Sequence, residues 1–323
     1  MSIRMPIVRF LAKRVLFGLA TLFVISVLIF AVTQALPSDP ATIMLGRDAT
    51  PEAVAALRGE FGMDRSLPGQ YAHWLGGIVT GDLGTSFSTR LPLSEYITPR
   101  VGNSLFLLLC AGVVSIPVSL AIGAYAALRR DRGFDNASSL VLLVLAAMPE
   151  FVVGTLLVIL LATFVFKVLP ATTYLSPGQP PWSDMKGLVL PVLTLVCAVT
   201  PYVARVMRAS VVEVLESDYI EMARLKGMPE RTVLWRHALP NAVGPVFQVI
   251  ALNLAYLAGG VIIVERLFNF PGIGSALSEA VRSRDLPVVQ FLALVIAAVY
   301  VLTNLLADVG TVLVTPRLRT RLS

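Results

Sequence analysis

Side chains able to do covalent chemistry are few in this chain and badly spaced for it. The two histidines, His73 and His237, lie far apart, and no H-E-x-x-H puts a pair on one helix face, so a zinc ligand set is missing. Cys110 and Cys197 sit inside apolar runs with no partner at metal or redox spacing, where a thiol is a small core residue. Ser86, in Gly84-Thr85-Ser86-Phe87-Ser88, lacks the second glycine of a nucleophile elbow. Gly272-Ile273-Gly274 lacks the third glycine of a dinucleotide fingerprint, and no G-x-x-x-x-G-K-[ST] is present to cradle phosphates. The chain is therefore read as no enzyme, with no catalytic residues, no metal site and no cofactor of its own.

What must position the remaining polar residues is membrane. Of the 323 residues 56% are apolar and 14% charged, against roughly 25% charged in a soluble domain, which excludes an ordinary soluble fold. A hydrocarbon core of about 30 Å needs about 20 apolar residues per helix. Six windows qualify: 15–38, 101–128, 136–166 (interrupted by Glu150), 187–204, 238–264 and 286–307. The first is too long for a signal peptide and lacks a small-x-small cleavage pattern, so it is read as an anchor. Sixteen of the 26 Lys and Arg fall before the first window, between the second and third, between the fourth and fifth, and after the sixth. The positive-inside rule puts those stretches and both termini in the cytoplasm, and explains the net charge of +6 without nucleic acid. The expected fold is an all-α integral membrane protein with six transmembrane helices. Residues 1–36 form the N-terminal anchor with the first transmembrane helix, and 37–100 a long extracytoplasmic segment. Residues 101–316 form a five-helix core that includes the cytoplasmic loop 217–240, and 317–323 a cytoplasmic tail.

That loop carries the strongest pattern. Asp218 followed by Glu221 has capping-box spacing and predicts a helix start. Lys226 and Gly227 stop the helix after about two turns. Pro229 suits the first turn of a second helix, running through Arg231, Leu234 and Trp235 until Leu239-Pro240 interrupts it. Helices this short must dock against something. Glu221, Ala223, Gly227, Leu239 and Pro240 stand at the spacing of the E-A-A-x3-G-x9-I-x-L-P loop of bacterial ABC importer permeases, which this chain resembles. Met222 and His237 depart from that pattern; His237 reads as a satisfied residue at a helix end. The resemblance implies that the loop is the coupling helix-turn-helix seated in a groove of the ATP-binding subunit, with Gly227 making the turn and Glu221 acting as polar contact or as helix cap.

The stretch Arg236 to Ala242 is similar to the peptide and nickel branch of this family. So are Phe61-Gly62-Met63-Asp64, Gly81-Asp82-Leu83-Gly84-Thr85-Ser86, Glu265 to Gly274 and Arg284 to Gln290. The resemblance implies the B-type permease subunit of a dipeptide, oligopeptide or nickel importer in the bacterial inner membrane, forming half of the pathway by alternating access. Its implied partners are a second, C-type permease, two ATP-binding subunits that hold the ATP and Mg, and a periplasmic substrate-binding protein. Nickel or glutathione-like cargo is the alternative, and an ion-gradient-driven secondary transporter a further one that would need an inverted repeat; the sequence shows none.

Single residues complete the reading. Pro149 favours a kink, and Glu150 beside it is a costly carboxylate at membrane depth. It either lines the pathway, where a peptide amino group or a metal cation could meet it, or makes an interhelical contact at a subunit seam. Asp308 reads as interfacial, Arg205 and Arg208 as snorkelling anchors, and Gly259-Gly260 as a point of close backbone approach at a seam. A short helix is expected over 275–281 after the Pro271-Gly272 turn.

Overall fold

Lipid supplies no hydrogen-bond partners, so a chain this apolar must satisfy its backbone within helices. The computed structural model describes residues 4–35, 40–45, 49–175 and 179–314, and these are all-α with no strand beyond one isolated bridge between Thr85 and Pro92. The tail expected at 317–323 lies outside the described residues.

The chain opens with α1 (Arg4–Gln34), then α2 (Pro40–Leu45), α3 (Pro51–Glu60) and α4 (Leu67–Thr80). The long α5 (Leu93–Leu128) follows, then α6 (Gly133–Ala147), α7 (Glu150–Val158) and α8 (Met185–Leu215). Next come α9 (Asp218–Leu225), the single turn α10 (Glu230–Thr232), α11 (Leu239–Leu267), α12 (Ile273–Ser283) and α13 (Leu286–Val314). The core lies where α5, α8 and α11 meet, around Leu107, Leu195, Val203, Val246, Leu257 and Phe268. Close approach there needs a missing side chain: a Cβ on Gly123 of α5 would strike Met207 and the Ala204 carbonyl of α8.

Among the described residues four helices are long and apolar enough to cross a membrane, or six if each of two bent pairs is one span. The third apolar window is not the kinked helix expected. α6 and α7 meet at 109°, because Met148 is extended before proline and Pro149 caps α7 instead of joining α6. The 15 residues of α6 reach about 22 Å, short of a 30 Å core. The second pair, Glu230–Leu254 with Gly259–Leu267, bends by 54°.

Residues 49–92 are folded, as their composition suggested. Thr50 caps α3, its Oγ1 accepting from Ala53 N at 3.2 Å, and Gly81 ends α4 at φ +85°. α4 then lies on the polar and aromatic stripe of α1. Ser26, Phe30 and Thr33, one helical face, are the buried residues of α1; Ser26 hydrogen-bonds Tyr71 at 2.8 Å, and Gln34 donates to Gln70 at 2.9 Å. Phe30 meets the Tyr71 ring edge-on at 5.3 Å.

Two buried carboxylates hold α12. Glu265 accepts from Ser104 Oγ, from Gly274 N at 2.7 Å and from Ser275 N at 3.3 Å, pairing amides that open the helix. Just past the other end, Asp285 accepts from Ser86 Oγ (2.5 Å), Ser88 Oγ (2.8 Å) and the amides of Phe87 and Ser88 (both 3.1 Å). Those four bonds tie the 81–92 loop to the helical body. Asp285→Ala would strand all four donors; it is expected to cost about 3 kcal/mol, read as a lower melting temperature in detergent, and to open the loop to trypsin at Arg90.

Candidate functional site: the 217–240 hairpin and the Glu150 recess

The hairpin at the end of α8 is built as two short arms on a small core of its own. Ile220, Val233 and Ala238 are fully buried there, with Ala223, Met228 and Leu234 packed against them. The helix starts one residue earlier than the capping box implied: Ser217 is the N-cap. Its hydroxyl turns back to Val214 O at 2.5 Å, so no side chain caps the first turn. Glu221 is exposed, and among the described residues its carboxylate has no hydrogen-bond or ion-pair partner. Its carboxylate thus makes no cap hydrogen bond in this structure.

The turn is a Schellman motif. Gly227 N bonds Arg224 O at 2.9 Å and Met228 N bonds Ala223 O at 3.2 Å, and Ala223 and Met228 both pack against the hairpin's small core. Gly227 has φ +74°, and a Cβ there would meet nothing within 4 Å; backbone conformation, not crowding, is what demands glycine. Arg224 clamps the two arms through Glu230, at 2.6 and 3.1 Å, and those hydrogen bonds raise its pKa above the ordinary guanidinium value.

The second arm departs from expectation. After one α-turn it widens into a π-helix, Val233–Ala238, and runs into α11 without a break. Pro240 sits in the first turn of α11 instead of ending a helix, since a first-turn amide needs no partner. Leu239 packs on the main core and roots the second arm, while Pro240 is exposed; Glu221 stands on the first arm and Gly227 at the turn. His237 is half-buried with Nε2 unpartnered, not the satisfied helix-end residue expected. Tyr219, Met222, Leu225 and Trp235 expose an apolar surface around the turn.

Glu150 opens α7 at the 109° break. It is 9% exposed, and among the described residues neither carboxylate oxygen has a partner at hydrogen-bond geometry, although the Tyr256 hydroxyl of α11 stands beside it. Gly260 of α11 makes its room: a Cβ there would collide with both oxygens. Gly260 thus serves a carboxylate inside this chain, and Gly259 beside it meets nothing within 4 Å. Among the described residues no group of three His, Cys, Asp or Glu could hold a metal. The hairpin and the Glu150 recess are separate sites.

Residues 119–320 match the family described as binding-protein-dependent transport system inner membrane component, and residues 7–106 match the N-terminal part of such membrane components. The chain belongs to this family. It is a multi-pass permease subunit of an ABC importer, and ATP hydrolysis is the work of partner subunits. Among its relatives is a probable peptide ABC transporter permease of Sinorhizobium fredii, 33% identical over 312 residues, covering 96% of this chain and 99% of the relative. A glutathione transport system permease of Escherichia coli O6:H1 is 36% identical over 314 residues, covering 96% and 98%. The counterpart in Salmonella choleraesuis is 35% identical at the same coverage.

Sequence reasoning missed the best-paired charges of the permease. Arg208, read as a snorkelling anchor, makes a two-pronged pair with buried Asp135. Glu265 and Asp285 entered the sequence reading only through the resemblance; their serine partners, Ser104 and Ser86, lie 161 and 199 positions away in sequence. Asp308 pairs with Arg14 at 3.0 Å.

Gly260→Ala is expected to destabilise the permease by roughly 1 to 3 kcal/mol. Most of that loss should vanish when Glu150→Ala is added, because the clash is with its carboxylate; melting temperatures of the four forms in a double-mutant cycle check the coupling.

Proposed function

We propose that this chain is the B-type half of a translocation pathway that imports di- or oligopeptides by alternating access. ATP and Mg would be held by two ATP-binding subunits, a second, C-type permease would complete the pathway, and a periplasmic binding protein would deliver cargo. The observation that carries the coupling role is the hairpin: a self-cored unit turned at Gly227, presenting Glu221 and apolar side chains left exposed among the described residues. Buried apolar anchors ringed by polar contacts are what a protein groove recognises. ATP-driven closure of the ATPase pair would move the hairpin with α8 and α11 and switch the opening of the cavity.

The topology proposed with it has six spans, counting each bent pair as one, in a bacterial inner membrane. Both termini and the hairpin are cytoplasmic, and residues 37–100 and α12 face the binding protein. Lys and Arg placement supports it. Glu150 is proposed to line the pathway, where an unpaired carboxylate can meet the ammonium of a peptide. A single carboxylate suits an ammonium better than a metal cation, which asks for several ligands. Glutathione-like cargo is the second reading, favoured by the Escherichia coli relative; glutathione also carries an ammonium group, and the binding protein would decide between them.

The test is copurification of the tagged permease and of Glu221→Arg from native membranes. The wild type is expected to bring both ATPase subunits and a second permease, and the charge-reversed form to lose the ATPases, at least tenfold for a central contact worth 1.4 kcal/mol or more. ATPases retained at full stoichiometry by Glu221→Arg would remove Glu221 from the interface.

A further inference from the structure

The turn between α5 and α6 is fastened to the base of the hairpin by two ion pairs that the function proposed above does not use. Asp135, in the first turn of α6 and only 2% exposed, receives both prongs of Arg208 from α8. Nε to Oδ1 and Nη2 to Oδ2 are each 2.6 Å. Asp131 N donates to the same carboxylate at 3.0 Å, from a residue at φ +60° that makes the turn tight. A two-pronged guanidinium pair fixes orientation as well as distance. On the same turn Arg130 pairs with Glu216, the C-cap of α8, whose next residue is Ser217, the N-cap of the hairpin. That second pair is exposed and contributes little by itself. Just inside, Gly123 of α5 lies against α8 with no room for a side chain.

The geometry has a mechanical consequence. α6 is a 15-residue rod with Asp135 at one end and the Met148-Pro149 break at the other, and Glu150 is the first residue beyond it. If the end of α8 shifts, either α6 follows or the fork opens. Opening it would leave a buried carboxylate unpaired, which is strongly unfavourable, so α6 follows.

We propose that the Arg208–Asp135 fork is a latch that makes α6 follow the hairpin, so that movement at the hairpin re-aims Glu150 against Gly260. Arg208 and Asp135 are positioning residues; neither touches cargo. The proposal rests on the hairpin being the coupling element, and it adds the route from that element to the pathway carboxylate.

The test uses the assembled importer in proteoliposomes, with Cys110→Ala and Cys197→Ala removing the native thiols. Gly259→Cys serves as a reporter beside the recess, at a site where a Cβ meets nothing within 4 Å. A membrane-permeant maleimide measures its labelling rate with and without ATP. With the fork intact the two rates are expected to differ. With Asp135→Asn their ratio should fall to about 1, the value of uncoupled sites, and transport per ATP should fall about fivefold or more, while the ATPase subunits stay bound and active. Undiminished ATP-dependent labelling in Asp135→Asn overturns the latch and leaves the coupling role of the hairpin standing. Identical rates with the fork intact, in a complex that hydrolyses ATP, overturn the coupling role and the latch with it. If Asp135→Asn does not assemble, Arg208→Lys decides, since it keeps the charge and loses the fork: a weakened ATP response supports the latch and a full one overturns it. Recovery of the response by Asp135→Arg combined with Arg208→Asp would separate a tether from a general packing role.

Discussion

A carboxylate taken out of water must be compensated where it lies, and that requirement organises this protein. Three buried acids meet it in three ways. Glu265 is neutralised by a serine hydroxyl and the opening amides of a helix, Asp285 by a loop wrapped around it, and Asp135 by a guanidinium fork. Each compensation reaches across a long stretch of sequence, so each joins elements that apolar packing alone would leave free to slide. Dispersion between helices is non-directional, and in lipid it has no hydrophobic drive behind it. Charged hydrogen bonds give the bundle its register.

Glu150 breaks the rule. Its recess is less closed than the others, and among the described residues no donor reaches hydrogen-bond geometry there, although the Tyr256 hydroxyl stands beside it; the glycine opposite leaves the space that the carboxylate occupies. It is here that the proposed pathway would bring the ammonium of its cargo to an intramembrane acid. Its position at a helix break, with α7 packed on α8 and α11 and Gly154 lying close against Thr194 and Leu267, suits a group whose surroundings would change if those helices moved. The compensated acids hold the frame against which such a change can occur.

Much of this was legible in the chain. Apolar windows marked every membrane-length element, and Lys226-Gly227 marked the hairpin turn, because both depend on local composition and backbone conformation. The Pro271-Gly272 turn and the helix after it were legible for the same reason, with α12 extending to Ile273–Ser283. What escaped depends on distance in the sequence. Nothing local to Arg208 reveals Asp135, and nothing local to Ser86 reveals Asp285. Pro149 announced a disturbance but not its size: a proline inside a helix kinks it, whereas one at a cap, after an extended Met148, permits a turn of 109°. The π-helix over 233–238 was hidden likewise, since an extra residue per turn leaves no mark in composition.

The π-helix also explains why one hairpin can serve two long helices. Were the second arm a separate helix ended by Leu239-Pro240, movement of the turn would be absorbed at a flexible joint. Because it is continuous with α11, displacement of the turn enters α11 without a joint and reaches Gly260 and Glu265 through the 54° bend between Leu254 and Gly259. The first arm is joined to α8 through Glu216 and Ser217, and through the fork to α6 and the break before Glu150. Glu150 and Gly260 therefore hang on opposite arms of the same lever. A small change in the angle between α8 and α11 at the hairpin alters the gap between them, in a recess already too tight for one added methyl group.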